Sequence, residues 1–426
     1  MSRHDLLYKC CACSAAVLAL ILVMAIWHLG ENSMIACGFT GAFFIHVGAR
    51  PARRSLYAAI AAGAGFAICY VLCGAHFGGN AIKAVTGVGA FLGLGSLAVM
   101  SCETIWGSSQ ALLAPLRDAL VIPVFSLVAG IVMGLLQRSA KPTYDMYLYA
   151  FDCSLGIFPG RVIALLFRAA PWLGSAAATI YALLLTFPPL YYAWGLHRGI
   201  KTRINLLHSF AIGGICGAVG YQICPGVGPL YWLHSRFPDH LPALNQIDLK
   251  LYEGAPPFNA MPSMHMTWAL LVWWAAWELT PLARVVASGF VALTILSTIG
   301  SGEHYLVDLV VAVPFALAIE GVCACMRGAR LEARLPLVAG FGLAGAWIAF
   351  LRSSYVAALP PAVGWSAIVA TLAVSAWVQM RFRAQLRANP TPALSVSAAA
   401  AENRVRLIPE PTPTSAVAGD PLKFRS

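Results

Sequence analysis

Long apolar stretches recur along most of the chain and constrain its fold more than any other feature. The chain is 59% hydrophobic and 11% charged, with a mean hydropathy of +0.75, and a soluble domain of this size has no need for so much apolar surface. Apolar runs of about 17–25 residues are long enough to cross a hydrocarbon core of roughly 30 Å as helices. We therefore predict an all-α, polytopic integral membrane protein with about twelve transmembrane helices. The predicted spans lie near residues 11–29, 34–48, 55–73, 84–102, 119–136, 172–195, 204–224, 264–279, 282–300, 305–324, 335–351 and 361–380.

The net charge of +11 is explained by the placement of the basic residues in the loops. With the N-terminus on the cytoplasmic side, lysines and arginines in cytoplasmic loops outnumber those on the opposite face by about two to one, as the positive-inside rule requires. We therefore expect both termini in the cytoplasm, an inner or plasma membrane location, and no nucleic-acid partner. No small-residue cleavage site follows the first apolar run, so we interpret it as a span.

The sequence divides into four regions. Gly89 and Gly93, in the fourth predicted span, have the spacing that lets membrane helices pack closely. The last region is rich in Pro, Ala, Ser and Thr, which predicts a disordered cytoplasmic tail. The regions are N-terminal helices of unknown role (1–118), a six-helix core (119–324), C-terminal helices (325–387) and the tail (388–426).

Two long segments, 137–171 and 225–263, interrupt the spans on the non-cytoplasmic side. The first mixes Tyr and Leu with Asp145 and Asp152, a pattern that predicts an amphipathic piece lying at the membrane interface. The second opens with a Pro/Gly turn, CPGVGP, at the end of a predicted span.

Two polar motifs, NAMPSMH and STIGSGEHYLVD, stand at the starts of apolar helices. His265 and His304 are 39 residues apart, about two membrane crossings, so they lie on the same side at similar depth. Asp308 follows His304 by four residues and shares its helix face. We also expect free N–H groups at both helix N-termini to favour an anion there.

Two imidazoles and a carboxylate at one membrane face suit phosphate chemistry. A histidine can attack phosphorus and form a phosphohistidine, a carboxylate can orient that histidine, and the second histidine can transfer protons. Each residue taken alone has an ordinary structural explanation. An ionisable group in a membrane span, however, costs roughly 2.5–3.5 kcal/mol on insertion scales, which favours a functional role for the set.

The two motifs resemble the second and third motifs of the type-2 phosphatidic-acid phosphatase superfamily, most closely its inositol phosphorylceramide synthase (inositolphosphotransferase) branch. TYDMYLYAFDCSLG and GYQICPGVGP resemble the same branch, and the likeness covers about residues 119–324. It implies a six-helix phosphatidic-acid-phosphatase-like core and a site that needs neither metal nor cofactor. His304 resembles the nucleophile, Asp308 its orienting partner and His265 the acid and base.

The resemblance places Ser263 and Gly302 near the phosphate. The basic residues with which phosphatases of the superfamily hold phosphate are missing: Lys does not precede an Arg-Pro pair on the active face, and Ser297-Thr298 stands where Ser-Arg is usual. Cations on the predicted outer side could substitute, although each could equally contact lipid head groups or solvent. These candidates are Arg161, Arg168, Arg236 and Lys250.

The sequence therefore predicts a lipid phosphotransferase or phosphatase that takes a head group from a membrane lipid and passes it to a lipid hydroxyl or to water. The alternative is a transporter or flippase of about twelve spans, which the span count would fit. Against transport, the polar residues gather at one face and no repeat relates the two halves. The His-Glu-x-x-His pattern of a metalloprotease is absent from the sequence.

Overall fold

The computed structural model describes residues 33–72, 81–106, 112–136, 141–200, 202–254 and 257–388. These residues are mostly helical, and their one sheet pairs two short antiparallel strands, Lys141–Thr143 (β1) and Tyr252–Gly254 (β2). The prediction of an all-helical fold is confirmed. The helices are α1 (Ser33–Gly48), α2 (Arg53–Leu72), α3 (Ala81–Trp106), α4 (Leu113–Leu136), α5 (Asp145–Ser154), α6 (Pro159–Ala169), α7 (Pro171–Ala182), α8 (Phe187–His197), α9 (Leu206–Ile223), α10 (Pro229–Leu233), α11 (Met264–Ala276), α12 (Pro281–Gly300), α13 (Leu306–Met326), α14 (Arg330–Leu351) and α15 (Pro361–Ala388).

Among the described residues, 8 helices are long and apolar enough to cross a membrane: α2, α3, α4, α9, α12, α13, α14 and α15. The number rises to 10 if each of two bent helix pairs is one span, namely α5 with α6 at 79° and α7 with residues 184–197 at 52°. The chain is therefore an integral membrane protein, and the count of twelve spans stays a prediction. The predicted first span, 11–29, and the predicted tail beyond Ala388 lie outside the described residues.

Helix α13 is the most buried of the candidate spans, with 83% of its apolar window inside the protein. Apart from Asp308 and Glu320, its residues are apolar or small on every side, which is the pattern of a helix surrounded by other helices. Helix α14 packs closely along it, because a Cβ at Gly340 would come within 2.6 Å of the Ala318 nitrogen. Helix α13 thus fixes the position of any side chain at its first turn.

Small residues allow the N-terminal helices to approach one another. A Cβ at Gly93 would lie 1.8 Å from the carbonyl oxygen of Phe39, and one at Gly89 would lie 2.5 Å from Thr40 Oγ1. The prediction of close packing at this pair of glycines is confirmed.

The two long inter-span segments meet, because β1 belongs to the first and β2 to the second. The interpretation of 137–171 as an interfacial piece is wrong for α5, where Asp145 and Asp152 are 0% and 1% exposed. Both carboxylates accept hydrogen bonds from backbone or side-chain groups of other elements, which offset the cost of burying them. Helix α6 keeps the expected amphipathic character, with apolar side chains exposed on one side: Val162, Leu165 and Leu166.

Candidate active site

The two motif histidines are in contact. His265 is the second residue of α11, and His304 lies in the loop between α12 and α13. The Nδ1 atom of His265 is 3.2 Å from the Nε2 atom of His304. The His304 side chain is 1% exposed, whereas His265 is half-buried. Two histidines that are 39 residues apart in the chain therefore form one polar pair in the fold.

Hydrogen bonds of His304 define which of its nitrogens is free to react. Its Nδ1 atom is 3.0 Å from the carbonyl oxygen of Ala260. A carbonyl can only accept, so we assign the ring proton to Nδ1 and the lone pair to Nε2. Burial lowers the pKa of His304 to about 4, and the Glu303 carboxylate and the Ala260 carbonyl only partly oppose that effect. At neutral pH the ring is therefore uncharged, with Nε2 directed at His265.

The carboxylate of Asp308 lies behind His304. Its Oδ2 atom is 3.4 Å from His304 Nδ1, close enough to form an ion pair when the ring becomes positive. The same oxygen accepts a 2.8 Å hydrogen bond from the Tyr305 N–H. Oδ1 is buried with no hydrogen-bond partner among the described residues. Asp308 is thus held by the backbone of the loop that carries the histidine.

A second buried carboxylate, Asp152 of α5, fixes the start of α13. It accepts hydrogen bonds from the N–H groups of Leu306 at 2.7 Å and Val307 at 3.3 Å. The prediction that free N–H groups at this helix N-terminus favour a bound anion is therefore wrong. These N–H groups already donate hydrogen bonds to carboxylates of the protein. At the start of α11, Ser263 Oγ likewise accepts from the Met266 N–H at 3.3 Å.

Asp145, two helical turns before Asp152 on the same face of α5, holds the neighbouring loops in place. It accepts 3.1 Å and 3.0 Å hydrogen bonds from the N–H groups of Val227 and Gly228 in the Pro/Gly turn, and a 3.0 Å bond from the Tyr305 hydroxyl. The sequence motifs did not indicate either aspartate as a site residue. Their spacing of seven residues, two helical turns, was the available signal.

The predicted phosphate-binding residues fall into two groups. Ser263 is fully buried, and Gly302 has a φ of +77°, a conformation that favours glycine. Both flank the histidines in the chain, but Ser263 Oγ serves as the helix cap described above. Whether either contacts phosphate stays a prediction.

The four candidate cations lie at the surface. Arg168 forms a bidentate pair with Asp239 at 2.7 Å, and Lys250 lies 3.4 Å from Asp248. Arg161 and Arg236 are exposed. In the described part of the chain, neither histidine makes a hydrogen bond or ion pair with a lysine or arginine. A role for these cations in holding phosphate stays a prediction.

Two aromatic residues that the sequence did not indicate complete the site. The ring of Tyr181, from α7, stacks on His265 with centroids 4.2 Å apart and planes 17° from parallel. The Tyr231 hydroxyl donates to Glu303 Oε1 at 3.3 Å, and burial raises the pKa of that glutamate. No periodic or motif signal marked either tyrosine.

Within the described ranges, no three His, Cys, Asp or Glu side chains are arranged to hold a metal ion. A family model described as the PAP2 superfamily matches residues 146–322. The match supports the resemblance of this region to the type-2 phosphatidic-acid phosphatase (PAP2) superfamily. It also supports an enzyme of the phosphatase or phosphotransferase type, acting on lipid phosphates. No curated protein and no solved structure matches the chain at a significant level.

The PAP2 match covers both histidines and the carboxylates of Asp152 and Asp308. Asp145 precedes it by one residue, and helices α1–α4, α14 and α15 lie outside it.

Proposed function

We propose that the protein transfers a phosphoryl-linked head group from a membrane lipid to a lipid hydroxyl or to water, through a covalent intermediate on His304. The observation that carries the proposal is the facing pair of nitrogens, His265 Nδ1 and His304 Nε2, at 3.2 Å. The PAP2 match supports this class of reaction. We place the site on the non-cytoplasmic face, in keeping with the distribution of cations along the chain.

In the first half-reaction, the lone pair on His304 Nε2 forms a bond to phosphorus. The bond from phosphorus to the leaving lipid oxygen breaks, and its electron pair moves onto that oxygen. His265 enters this step as the protonated imidazolium, donates one proton to the departing oxygen and becomes neutral. The His304 ring becomes positive, and Asp308, 3.4 Å from Nδ1, stabilises that charge.

In the second half-reaction, an acceptor hydroxyl gives its proton to His265 and its oxygen bonds to phosphorus. The phosphorus–nitrogen bond breaks, and its electron pair returns to His304 Nε2. Both histidines regain their starting states, and the acceptor carries the phosphoryl group. Water in place of the lipid hydroxyl gives hydrolysis by the same steps.

The finer proposal is that the donor is a phosphodiester, as in an inositolphosphotransferase-like reaction. A phosphodiester carries one negative charge, whereas a phosphomonoester carries up to two. The described contacts of the histidines include no lysine or arginine, and the carboxylate of Glu303 stands beside His304. The lower charge of a diester suits such surroundings, and the motif likeness to the inositolphosphotransferase branch supports the same choice. No contact among the described residues supports the alternative of a transporter.

Turnover by the purified full chain in liposomes tests this proposal. We expect head-group release or transfer from phosphatidylinositol at a higher rate than phosphate release from phosphatidic acid. We also expect full activity in EDTA and inhibition by vanadate, which can mimic the trigonal-bipyramidal phosphorus. Activity that disappears in EDTA and returns with magnesium would contradict the mechanism, and faster turnover of phosphatidic acid would contradict the donor assignment.

The pH dependence of kcat/KM is expected to reflect the pKa of His304, which burial lowers. The nucleophile is the neutral ring, and its pKa is lowered to about 4 by burial. The acid limb, which reports the free enzyme, should therefore lie near pH 4 and not near the 6.5 of an ordinary histidine. Initial rates measured between about pH 3 and 8 on liposomes check this. If kcat/KM has already fallen to its acid minimum when the pH is lowered to 6, the His304 ring is not held neutral by burial and the prediction is wrong.

A further inference from the structure

His265 lacks the kind of partner that His304 has. Within the described residues, its ring makes two contacts: the Nδ1 atom faces His304 Nε2, and the ring face stacks on Tyr181. No carboxylate hydrogen-bonds to it in that part of the chain. In a His-Asp arrangement, a carboxylate fixes the orientation of the ring and steadies its positive form. Something else must do so for His265.

The contact between His265 and His304 cannot persist through the reaction. Once phosphorus is bonded to His304 Nε2, that nitrogen no longer has a lone pair for His265 Nδ1. Of the two described contacts of the His265 ring, only the stack on Tyr181 then remains. Proton transfer to the leaving oxygen requires a donor held within hydrogen-bond reach, so the ring must stay in place at this moment.

The geometry of Tyr181 suits that task. Its ring lies nearly parallel to the imidazole, with centroids 4.2 Å apart. The electron-rich face of a tyrosine attracts a cation, so it favours a protonated imidazole over a neutral one. Tyr181 comes from α7, which packs against α12, so its position is independent of the helix that carries His265. The titratable groups that face this pair are His304, Glu303, Tyr221 and Tyr231.

We propose that the Tyr181 ring positions His265 and favours its protonated form during proton transfer to the leaving oxygen. This inference rests on the proposed function, because it assigns a task within that reaction. Tyr181 acts through His265 and is a positioning residue. The part of the side chain that matters is the ring face, and the hydroxyl is dispensable.

Three substitutions separate the ring from the hydroxyl. Tyr181→Leu removes both, Tyr181→Gln keeps a hydrogen-bonding group without a ring, and Tyr181→Phe keeps the ring alone. We expect kcat to fall about 10- to 100-fold for the first two, with KM changed by less than about 3-fold, and to stay within about 3-fold for Tyr181→Phe. The alkaline limb of the kcat profile should move to lower pH in the ringless variants, because the protonated imidazole loses its stacked partner.

Phe187→Leu is the matched control. Phe187 stacks on Phe290 with centroids 4.0 Å apart and planes 13° from parallel, and among the described residues neither ring stacks on or hydrogen-bonds to His265 or His304. Its loss should leave kcat and the pH profile unchanged. The thermal midpoint of each purified variant in detergent shows whether it is folded, and Tyr181→Gln provides a second ringless protein if Tyr181→Leu is poorly recovered.

The outcomes distinguish this inference from the proposed function. Wild-type kcat and pH profile in folded Tyr181→Leu or Tyr181→Gln, together with an inactive His304→Ala, would overturn the role of Tyr181 and leave the proposed function standing. A large loss of kcat in Tyr181→Phe would also overturn it, since the ring is then not the decisive part. If the unsubstituted protein turns over neither donor, both proposals fail.

Discussion

Replacing His304 with alanine is expected to lower kcat by at least about 1,000-fold, because the substitution removes the atom that bonds to phosphorus. His304 Nε2 is the only ring nitrogen of this residue free to react, since Nδ1 is held by the Ala260 carbonyl. The measurement is head-group release from a phospholipid donor by the purified protein in liposomes. Donor binding should change far less than kcat, because the histidine contributes mainly to the transition state.

His197→Ala is the matched control for this prediction. His197 is an exposed histidine at the end of α8, and its loss should leave turnover unchanged. Retention of wild-type turnover by His304→Ala would mean that no phosphohistidine forms on this residue. In that event the facing nitrogens would be a structural pair, and the mechanism would have to be abandoned.

Replacing Arg383 with methionine is expected to lower the free energy of unfolding by about 3–5 kcal/mol, because it strands two carboxylates that share this arginine. Arg383 of α15 donates to Glu278, after α11, and to Glu320 of α13. Gln379 also donates to Glu320 at 2.6 Å, and Glu320 is 2% exposed. The measurement is the unfolding midpoint and free energy of the purified protein in mild detergent.

Arg381→Met, two residues away, tests whether the effect is specific. Arg381 is exposed and lies over the Trp377 ring at 5.6 Å, so its loss should cost less than about 1 kcal/mol. Adding Glu320→Gln to Arg383→Met removes one of the stranded charges and should recover part of the lost stability. Equal stability of the two single variants would show that the buried ion pairs contribute nothing.

The approach of the two histidines could be predicted because it follows from the number of membrane crossings between them. A separation of 39 residues, with two apolar runs between, returns the chain to the same membrane face. The close helix packing at Gly89 and Gly93 was predictable for a similar reason, since small residues at this spacing have few other uses. In both cases the information is local or periodic.

The roles of Asp145 and Asp152 could not be predicted in this way. In the sequence, acidic residues among Tyr and Leu look like an interfacial helix. Their partners are backbone N–H groups far away in the chain, 154 residues on in the case of Asp152 and Leu306. A sequence pattern records the character of a side chain but not the distant N–H that it satisfies. The stacking of Tyr181 on His265 could not be predicted from the sequence for the same reason.

The count of spans was less predictable than their existence. Helix α11, which carries His265, has 13 residues, and two helix pairs are bent by 79° and 52°. Hydropathy alone does not distinguish such short or broken helices from straight spans, because it measures apolar length and not direction.

The position of α5 ties the C-terminal helices to the chemistry of His304. Its Phe151 ring packs against Trp347 of α14, and the Leu155 carbonyl at its end accepts from the Trp365 indole of α15 at 3.1 Å. The residue after Phe151, Asp152, accepts a hydrogen bond from the backbone that follows His304. Helices α14 and α15, which lie beyond the PAP2 match, therefore support the His304 loop through α5. A chain trimmed to residues 119–324 would lose that support while keeping every residue of both histidine motifs.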